Sequence, residues 1–257
     1  MMKKHIMIIL SVLVMTACAS KENDIQSQEK EISVELENAK NQGDESKEEN
    51  VNSEEKERVN EGENFQSNIQ NDWDINLPTN FPVTEGKFLT ATTSLEQQDA
   101  ITFHFYETNS KLAINDPTLK EVGEFIGQLV ITKYESAQAA SDEIDQTVFK
   151  DGKAVDLGHG ITGYQDAGAG SLFTSWNEGR WAIITRSRTE KSEESLNTAK
   201  ETVEFLETHM LPIPKEYGSL HIDSELSGSM AKWQKQQYVF EMTDFKEKTL
   251  EWLITFE

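Results

Sequence analysis

The chain has 257 residues, which is enough for one large domain or two small ones. Its 46 acidic residues outnumber 24 basic ones, and the net charge of −22 makes nucleic acid a poor partner because phosphate backbones are repelled. Anionic lipid headgroups are repelled as well, so attachment to a membrane would need a hydrophobic or covalent link. The acidity favours solubility at high external salt or pH, with cation binding as the alternative.

The first residues have the layout of an export signal. Two lysines precede an apolar run over residues 6–15, and Thr16-Ala17-Cys18 follows. A run of about ten apolar residues is too short to span a bilayer, which needs about twenty. We therefore predict a secretory signal peptide over residues 1–17.

The end of this segment, Thr16-Ala17-Cys18, resembles the lipobox of bacterial lipoproteins, with Met15 where that pattern usually has leucine. The resemblance implies cleavage before Cys18, a diacylglyceryl group on its sulfur, and often an acyl chain such as palmitate on the new amine. Two or three such chains would anchor the protein durably on the extracytoplasmic face of the cell membrane. Cys18 is the only cysteine, so no intrachain disulfide is expected. An ordinary secreted protein, the alternative, would leave the position of this cysteine unexplained.

Residues 18–71 are predicted to form an acidic, disordered tether behind the lipidated Cys18. Between residues 21 and 70 fifteen acids face six bases, and Phe65 is the one aromatic residue. Such low hydrophobicity and high charge cannot offset the entropy of ordering a chain. A coil of about fifty residues would span roughly 40 Å, so the segment is interpreted as a spacer. A specific acidic interaction tail is the alternative.

All five tryptophans lie beyond residue 71, which places a single folded domain over residues 72–257. Two apolar stripes at helical spacing predict helices over Ser136–Phe149, with Ser136 as the N-cap, and over Ser192–Met210. Alternating or β-branched runs predict strands near residues 87–94, 100–107, 128–134, 154–157, 161–165, 172–176, 180–186, 219–222, 233–242 and 250–256.

The order of these elements gives strand-strand-strand-helix-strand twice. We therefore predict an α+β fold, with an antiparallel β-sheet, two helices on one face, and two similar β-β-β-α-β halves. Residue identity between the two halves is negligible, so the repetition concerns the order of elements alone.

The motif Gly158-His159-Gly160-Ile161-Thr162-Gly163 matches the G-x-G-x-x-G string of phosphate-binding loops. That function needs a helix directly after the glycines, and a β-prone stretch follows here instead. We interpret the motif as a glycine-rich loop between strands. No cofactor is predicted.

The histidines of the mature chain give little support for catalysis or metal binding. No two of His104, His159, His209 and His221 have the spacing of metal ligands, and no EF-hand loop is present. There is no G-x-S-x-G nucleophile motif, and no thiol remains after lipidation. We predict no catalytic, cofactor-binding or metal-binding residue. The alternative is an extracytoplasmic hydrolase that uses His159 and nearby carboxylates such as Asp156.

Trp176, Arg180, Trp181 and His159 form the predicted binding patch, because tryptophan and arginine near a hairpin tip are typical of recognition surfaces. The alternative places a tryptophan in the core and pairs the arginines with neighbouring acids. The sequence thus predicts a membrane-anchored, non-enzymatic domain that binds an unknown protein or small ligand, or that has an envelope-associated role. A ligand-delivery subunit of a transporter would need two lobes, for which the element list is too short.

Overall fold

A computed structural model describes residues 64–96, 99–225 and 227–256 of the chain. The predicted signal peptide, Cys18 and the tether up to residue 63 lie outside these residues. The described part contains ten strands, with these bounds: β1 Phe88–Glu96, β2 Ala100–Thr108, β3 Glu124–Lys133, β4 Lys153–Gly158, β5 Ile161–Gly168, β6 Ser171–Glu178, β7 Trp181–Arg188, β8 Gly218–Asp223, β9 Met230–Lys235 and β10 Tyr238–Thr243.

Helices are few beside this sheet, namely α1 (Leu119–Val122), α2 (Ala137–Asp142), α3 (Ser192–Leu206) and α4 (Thr249–Leu253). None of the helices in the described ranges is long and apolar enough to cross a membrane. The prediction of a sheet accompanied by helices is confirmed at this coarse level. The domain is richer in sheet than the predicted two-helix α+β fold.

All ten strands form one sheet in the order β1-β2-β3-β10-β9-β8-β7-β6-β5-β4. Neighbouring strands are antiparallel except β7 and β8, which run parallel because α3 carries the chain back between them. The sheet is therefore mixed, and the prediction of a purely antiparallel one is wrong at this crossover.

The predicted strand-strand-strand-helix-strand order is present over β5 to β8, whereas in the first half the short helix α1 lies between β2 and β3. In the second half, β8 lies directly beside β7. In the first half, the chain leaves β3, passes through α2 and reaches β4 at the far edge of the sheet. The two halves therefore differ in the order of their elements and in topology, and the prediction of two similar halves is wrong.

The main apolar core lies on one face of the sheet. Ile101, Phe103 and Phe105 of β2 point to this face and are fully buried, as their alternation predicted. α3, α4 and the chain over residues 65–81 cover it. Several aromatic rings pack here at centroid distances between 4.6 and 5.6 Å, namely Phe65, Phe81, Phe105, Phe245 and Trp252.

The packed domain includes residues before the predicted boundary at residue 72. Phe65 and Ile69 are buried in the core, and the rings of Phe65 and Phe105 lie 5.3 Å apart. Two apolar residues in a polar stretch leave its average composition almost unchanged. Composition therefore assigned Phe65 to the tether, although its side chain belongs to the core.

The two predicted helices lie on opposite faces of the sheet. α3 packs over β6 and β7 on the core face, whereas Ala140 and Ile144 contact Val239, which points to the other face between Tyr238 and Phe240. α2 begins at the predicted N-cap, since the Ser136 hydroxyl accepts a hydrogen bond from the backbone N–H of Ala139.

Both helices end earlier than predicted. α2 stops at Asp142, and the chain then turns where the Asp145 carboxylate accepts the backbone N–H of Thr147. α3 stops at Leu206 rather than at Met210.

Two predictions near the C-terminus are wrong. Residues 233–242 were predicted as one strand, but β9 and β10 form a hairpin that turns at Gln236, whose φ is 55°. Residues 250–256 were predicted as a strand and instead form α4 and a 3₁₀ turn over Ile254–Phe256. The buried side chains there are Trp252, Leu253 and Phe256, a helical spacing.

Each edge strand of the sheet is shielded differently. Beside β1, the backbone N–H of Asn115 donates to the Ala91 carbonyl, and its side-chain oxygen accepts the N–H of Thr93. Asn115 thus occupies hydrogen-bonding positions that another strand would use. At the other edge, β4 carries the exposed charges Lys153 and Asp156 and has an irregular register after Asp156.

Gly127 of β3 is required by the packing of Phe245 over it. A Cβ atom at this position would lie 2.6 Å from the Phe245 ring. We expect Gly127→Ala to destabilise the domain by about 1–3 kcal/mol in urea denaturation, because the ring and backbone must shift. Gly168→Ala is the control, since a Cβ there meets nothing within 4 Å. Equal stability of the two variants would contradict this account of the packing.

Candidate functional site

A largely apolar groove lies at the tip of the β6–β7 hairpin. Its volume is about 390 Å³, within the range of small-molecule sites. We call it the hairpin groove, and its lining residues are Glu178, Gly179, Arg180, Trp181, Leu206, His209, Met210, Leu211, Pro212, Ile213 and Pro214.

Three hydrogen bonds to the loop before β8 fix the groove. The Trp181 indole Nε1–H donates to the Pro212 carbonyl at 2.9 Å, and the Arg180 guanidinium donates to the carbonyls of Pro214 and Lys215 at 2.8 and 2.7 Å. Trp181 can lie flat against β8 because Gly218 has no side chain, and a Cβ there would be 2.6 Å from the indole. The recess is therefore preformed.

The rim of the groove exposes large apolar side chains to solvent. Ile213 is 79% exposed and Met210 is 66% exposed, although both belong to the apolar run that follows α3. Trp181 and Leu206, also lining residues, are buried. Clustered exposed apolar residues around a recess are typical of binding sites.

One carboxylate, Glu178, lines this apolar groove and is half-buried. Burial raises the pKa of Glu178 above its ordinary range. The hydrogen bond from Trp176 lowers this pKa, and the negative charge of Glu207 raises it. The indole N–H of Trp176 lies 3.4 Å from Glu178 Oε2, a long hydrogen bond. Glu178 is therefore a poorly solvated carboxylate, and the long hydrogen bond from Trp176 compensates only weakly for the lost contact with water.

His159 joins the β4–β5 turn to the end of α3. Its Nε2 atom lies 2.8 Å from Glu204 and its Nδ1 atom 3.4 Å from Glu207. The turn directs His159 towards α3 through positive φ angles at Gly158, His159 and Gly160. Its side chain is 39% exposed and does not line the hairpin groove.

The environment of His159 predicts a pH dependence. The hydrogen bond to Glu204 raises the pKa of His159 above its ordinary value of 6.5, burial opposes this, and Glu207 adds to it. We expect an NMR titration midpoint above 6.5 for His159, lowered by Glu204→Gln. Because the pKa of His159 is raised in the folded state, its pairing with the glutamates stabilises the fold fully below the ordinary pKa. This contribution is lost as pH rises through the folded pKa.

His221 is the internal comparison for that titration. Burial lowers the pKa of His221, with Asp223 opposing and Arg186 adding to the effect, so its midpoint should lie below 6.5. A His159 midpoint at or below that of His221 would contradict the predicted pairing with the glutamates.

The members of the predicted binding patch have different environments. Trp176 and Trp181 are both buried, whereas Arg180 and His159 are exposed. Arg180 and Trp181 line the hairpin groove. Trp176 does not line it but donates a hydrogen bond to the lining residue Glu178. The other hairpin arginines pair with acids, as the alternative proposed: Arg186 with Asp223 and Arg188 with Glu225 at 3.0 Å.

The hydrolase alternative gains no support from the surroundings of His159. Asp156, its proposed partner, instead accepts the backbone N–H of Gly158 at 3.0 Å within the turn. The carboxylates that face His159 are Glu204 of α3 and Glu207 at its C-cap, and both are exposed at the surface. The G-x-G-x-x-G string forms the β4–β5 turn and the start of β5, which agrees with its interpretation as a loop between strands.

The remaining histidines are explained by local packing. His209 stacks on Phe205 with ring centroids 4.1 Å apart, and its Nδ1 lies 2.9 Å from the Phe205 carbonyl at the end of α3. His104 lies beside Phe125 at 6.2 Å. In the described ranges no group of three or more histidine, cysteine, aspartate or glutamate side chains is arranged to hold a metal ion.

Glu178, Met210 and Ile213 were not predicted as site residues from the sequence. A signal for two of them was present, because the run Met210-Leu211-Pro212-Ile213-Pro214 is apolar yet interrupted by prolines. Such a run cannot continue a helix and is a poor central strand. It therefore forms a loop that exposes apolar side chains.

Comparison with known proteins finds no family model that matches this chain, no matching curated protein and no matching solved structure.

Proposed function

We propose that this protein is a lipid-anchored, extracytoplasmic binding protein that holds a small ligand in the hairpin groove. The observation that carries the proposal is a preformed apolar recess of about 390 Å³ with Met210 and Ile213 exposed at its rim. Loop carbonyls already accept the Trp181 and Arg180 donors, so little ordering is needed when a ligand enters.

The anchor rests on the N-terminal sequence. A signal peptide over residues 1–17, the lipobox-like end at Cys18 and the absence of any second cysteine support it. Detergent phase partitioning tests this part: the wild-type chain should enter the detergent phase and Cys18→Ser should stay in the aqueous phase. If both partition alike, the anchor is wrong.

Binding is tested on the mature chain, residues 18–257, with Cys18→Ser so that no attached lipid competes for an apolar probe. We expect the neutral dye N-phenyl-1-naphthylamine to increase in fluorescence and to shift the NMR signal of the Trp181 indole N–H. Met210→Ser combined with Ile213→Ser should weaken binding by about tenfold or more, which corresponds to about 1.4 kcal/mol.

The matched control replaces exposed apolar residues outside the groove. Leu95 and Val122 are 62% and 58% exposed, similar to Met210, and do not line it. Leu95→Ser combined with Val122→Ser should leave dye binding unchanged. If this control weakens binding as much as the groove variant, the dye binds elsewhere and the groove is not the site.

A further inference from the structure

The charge in the hairpin groove indicates which class of ligand fits it, and this inference rests on the proposed function. Glu178 is half-buried among apolar lining residues. Among the residues that the structure describes, no lysine, arginine or histidine forms an ion pair with Glu178, and its side chain is contacted through the long bond from Trp176. A half-buried carboxylate without a cation is costly to keep charged.

The nearby positive groups donate to acceptors other than Glu178. Arg180 lies two positions along the hairpin, but its Nη1 donates to the carbonyls of Pro214 and Lys215. His159 faces Glu204 and Glu207 rather than the groove. The negative charge of Glu207 acts on Glu178 as well. Within the described ranges, Glu178 thus has no positively charged partner.

The volume of the groove fits a small molecule. The recess holds about 390 Å³, and small-molecule sites typically hold roughly 300–1,000 Å³. Its apolar walls would take an apolar body, while Glu178 would take a cation. The net charge of −22 on the chain adds a long-range attraction for positive ligands.

We propose that the hairpin groove binds a small amphiphilic cation, with an ammonium or guanidinium group paired to Glu178 and an apolar body against Trp181, Leu206 and Met210. Binding the cation supplies Glu178 with a charged hydrogen bond that no described residue of the chain provides. Glu178 is thus the residue that determines specificity for charge, and the apolar walls determine affinity for the body.

Three ligands with the same octyl chain separate these contributions: octylamine, which is protonated at pH 7, octanol and octanoate. Each is titrated into the mature chain carrying Cys18→Ser, below the concentration at which it aggregates, with calorimetry and the Trp181 indole signal as readouts. We expect octylammonium to bind about tenfold or more tightly than octanol, and octanoate to bind most weakly.

The Glu178→Gln variant keeps the shape of the side chain and removes its charge. It should lower octylammonium affinity to that of octanol while octanol affinity stays unchanged. Glu121→Gln is the control, because Glu121 is an exposed acid of α1 outside the groove, and it should retain the preference for the cation. An equal loss of both ligands in Glu178→Gln would overturn the charge pairing.

The failures of the two proposals are distinguishable. If all three ligands shift the Trp181 signal with equal affinity, the groove binds apolar chains and the cation inference is wrong. Tighter binding of octanoate would also overturn the cation inference. If none of the ligands binds the folded chain, both the cation inference and the groove as a binding site are wrong.

Discussion

Replacement of Trp252 by alanine is expected to lower the free energy of unfolding by about 3–5 kcal/mol, the usual cost of truncating a buried tryptophan. Trp252 is fully buried in α4. Its ring lies 5.1 Å from Phe81, 5.0 Å from Phe105 and 4.6 Å from Phe245. The substitution would leave a cavity among three aromatic rings, and the sheet beneath cannot collapse to fill it.

The loss at Trp252 should come from apolar packing rather than from a lost hydrogen bond. Its indole Nε1 is buried and has no hydrogen-bond partner among the described residues. Trp252→Phe should therefore retain much of the stability, and Leu95→Ala, at a 62% exposed position, should change it by less than about 0.5 kcal/mol. Urea denaturation followed by circular dichroism measures all three. A loss below about 1 kcal/mol in Trp252→Ala would contradict the packing described for α4.

The second large effect is expected at the ion pair between Lys248 and Glu107, which lie 3.0 Å apart. The side chain of Glu107 is only 2% exposed and that of Lys248 is 25% exposed. Glu107 also accepts the backbone N–H of Thr84 at 3.0 Å. Lys248→Met should cost about 2–3 kcal/mol at pH 7, because it leaves a buried carboxylate without its cation.

The cost of Lys248→Met should decrease in acid. Burial by itself raises the pKa of Glu107, but Thr84 and Lys248 together hold it below its ordinary value of 4.5. Because the pKa of Glu107 is lowered in the folded state, its ionised carboxylate stabilises the fold above the ordinary pKa. This contribution is lost as pH falls through the folded pKa. Denaturation curves of wild type and Lys248→Met should therefore approach one another below about pH 4.

A double-mutant cycle tests whether the effect belongs to the pair. Adding Glu107→Gln to Lys248→Met removes the unpaired charge and should recover at least half of the lost stability. Lys232→Met breaks the more exposed pair with Glu241, in which the side chains are 21% and 36% exposed, and should cost less than about 1 kcal/mol. Equal costs for Lys248→Met and Lys232→Met would show that burial does not matter at Glu107.

Strand positions could be predicted from the sequence wherever the apolar side chains of a strand lie on one face. In β2, alternation between Ile101, Phe103 and Phe105 and the polar residues between them is the direct product of a strand with one core face. The N-cap of α2 was equally predictable, since Ser136 combines an extended backbone with a side chain that accepts the Ala139 N–H.

The wrong predictions fall where two periodicities coincide or where a turn lacks its usual residues. Trp252, Ile254 and Phe256 alternate as in a strand, but Leu253 is buried as well, which only a helical arrangement explains. The β9–β10 turn uses Gln236 in a positive-φ conformation that glycine or asparagine usually occupies. The parallel crossover could not be derived, because strand direction depends on long-range pairing.

Some residues of the groove could be predicted from the sequence and others could not. Trp181 and Arg180 stood out because both residue types are common at recognition sites near a hairpin tip. Glu178 was hidden among many acids, and only its half-buried position in an apolar recess distinguishes it. The pairing of His159 with Glu204, 45 residues away, and with Glu207 has no local signal in the sequence.

The shielding of β1 by Asn115 has a consequence for the crowding of copies on a surface. Chains fixed to one membrane by lipid meet their own copies at a high local concentration, as we propose for this protein. Open sheet edges under those conditions would template edge-to-edge association and aggregation. Asn115 occupies the Ala91 and Thr93 positions at one edge, and charged Lys153 and Asp156 disfavour pairing at the other. Both edges are thus adapted to keep neighbouring copies from joining their sheets.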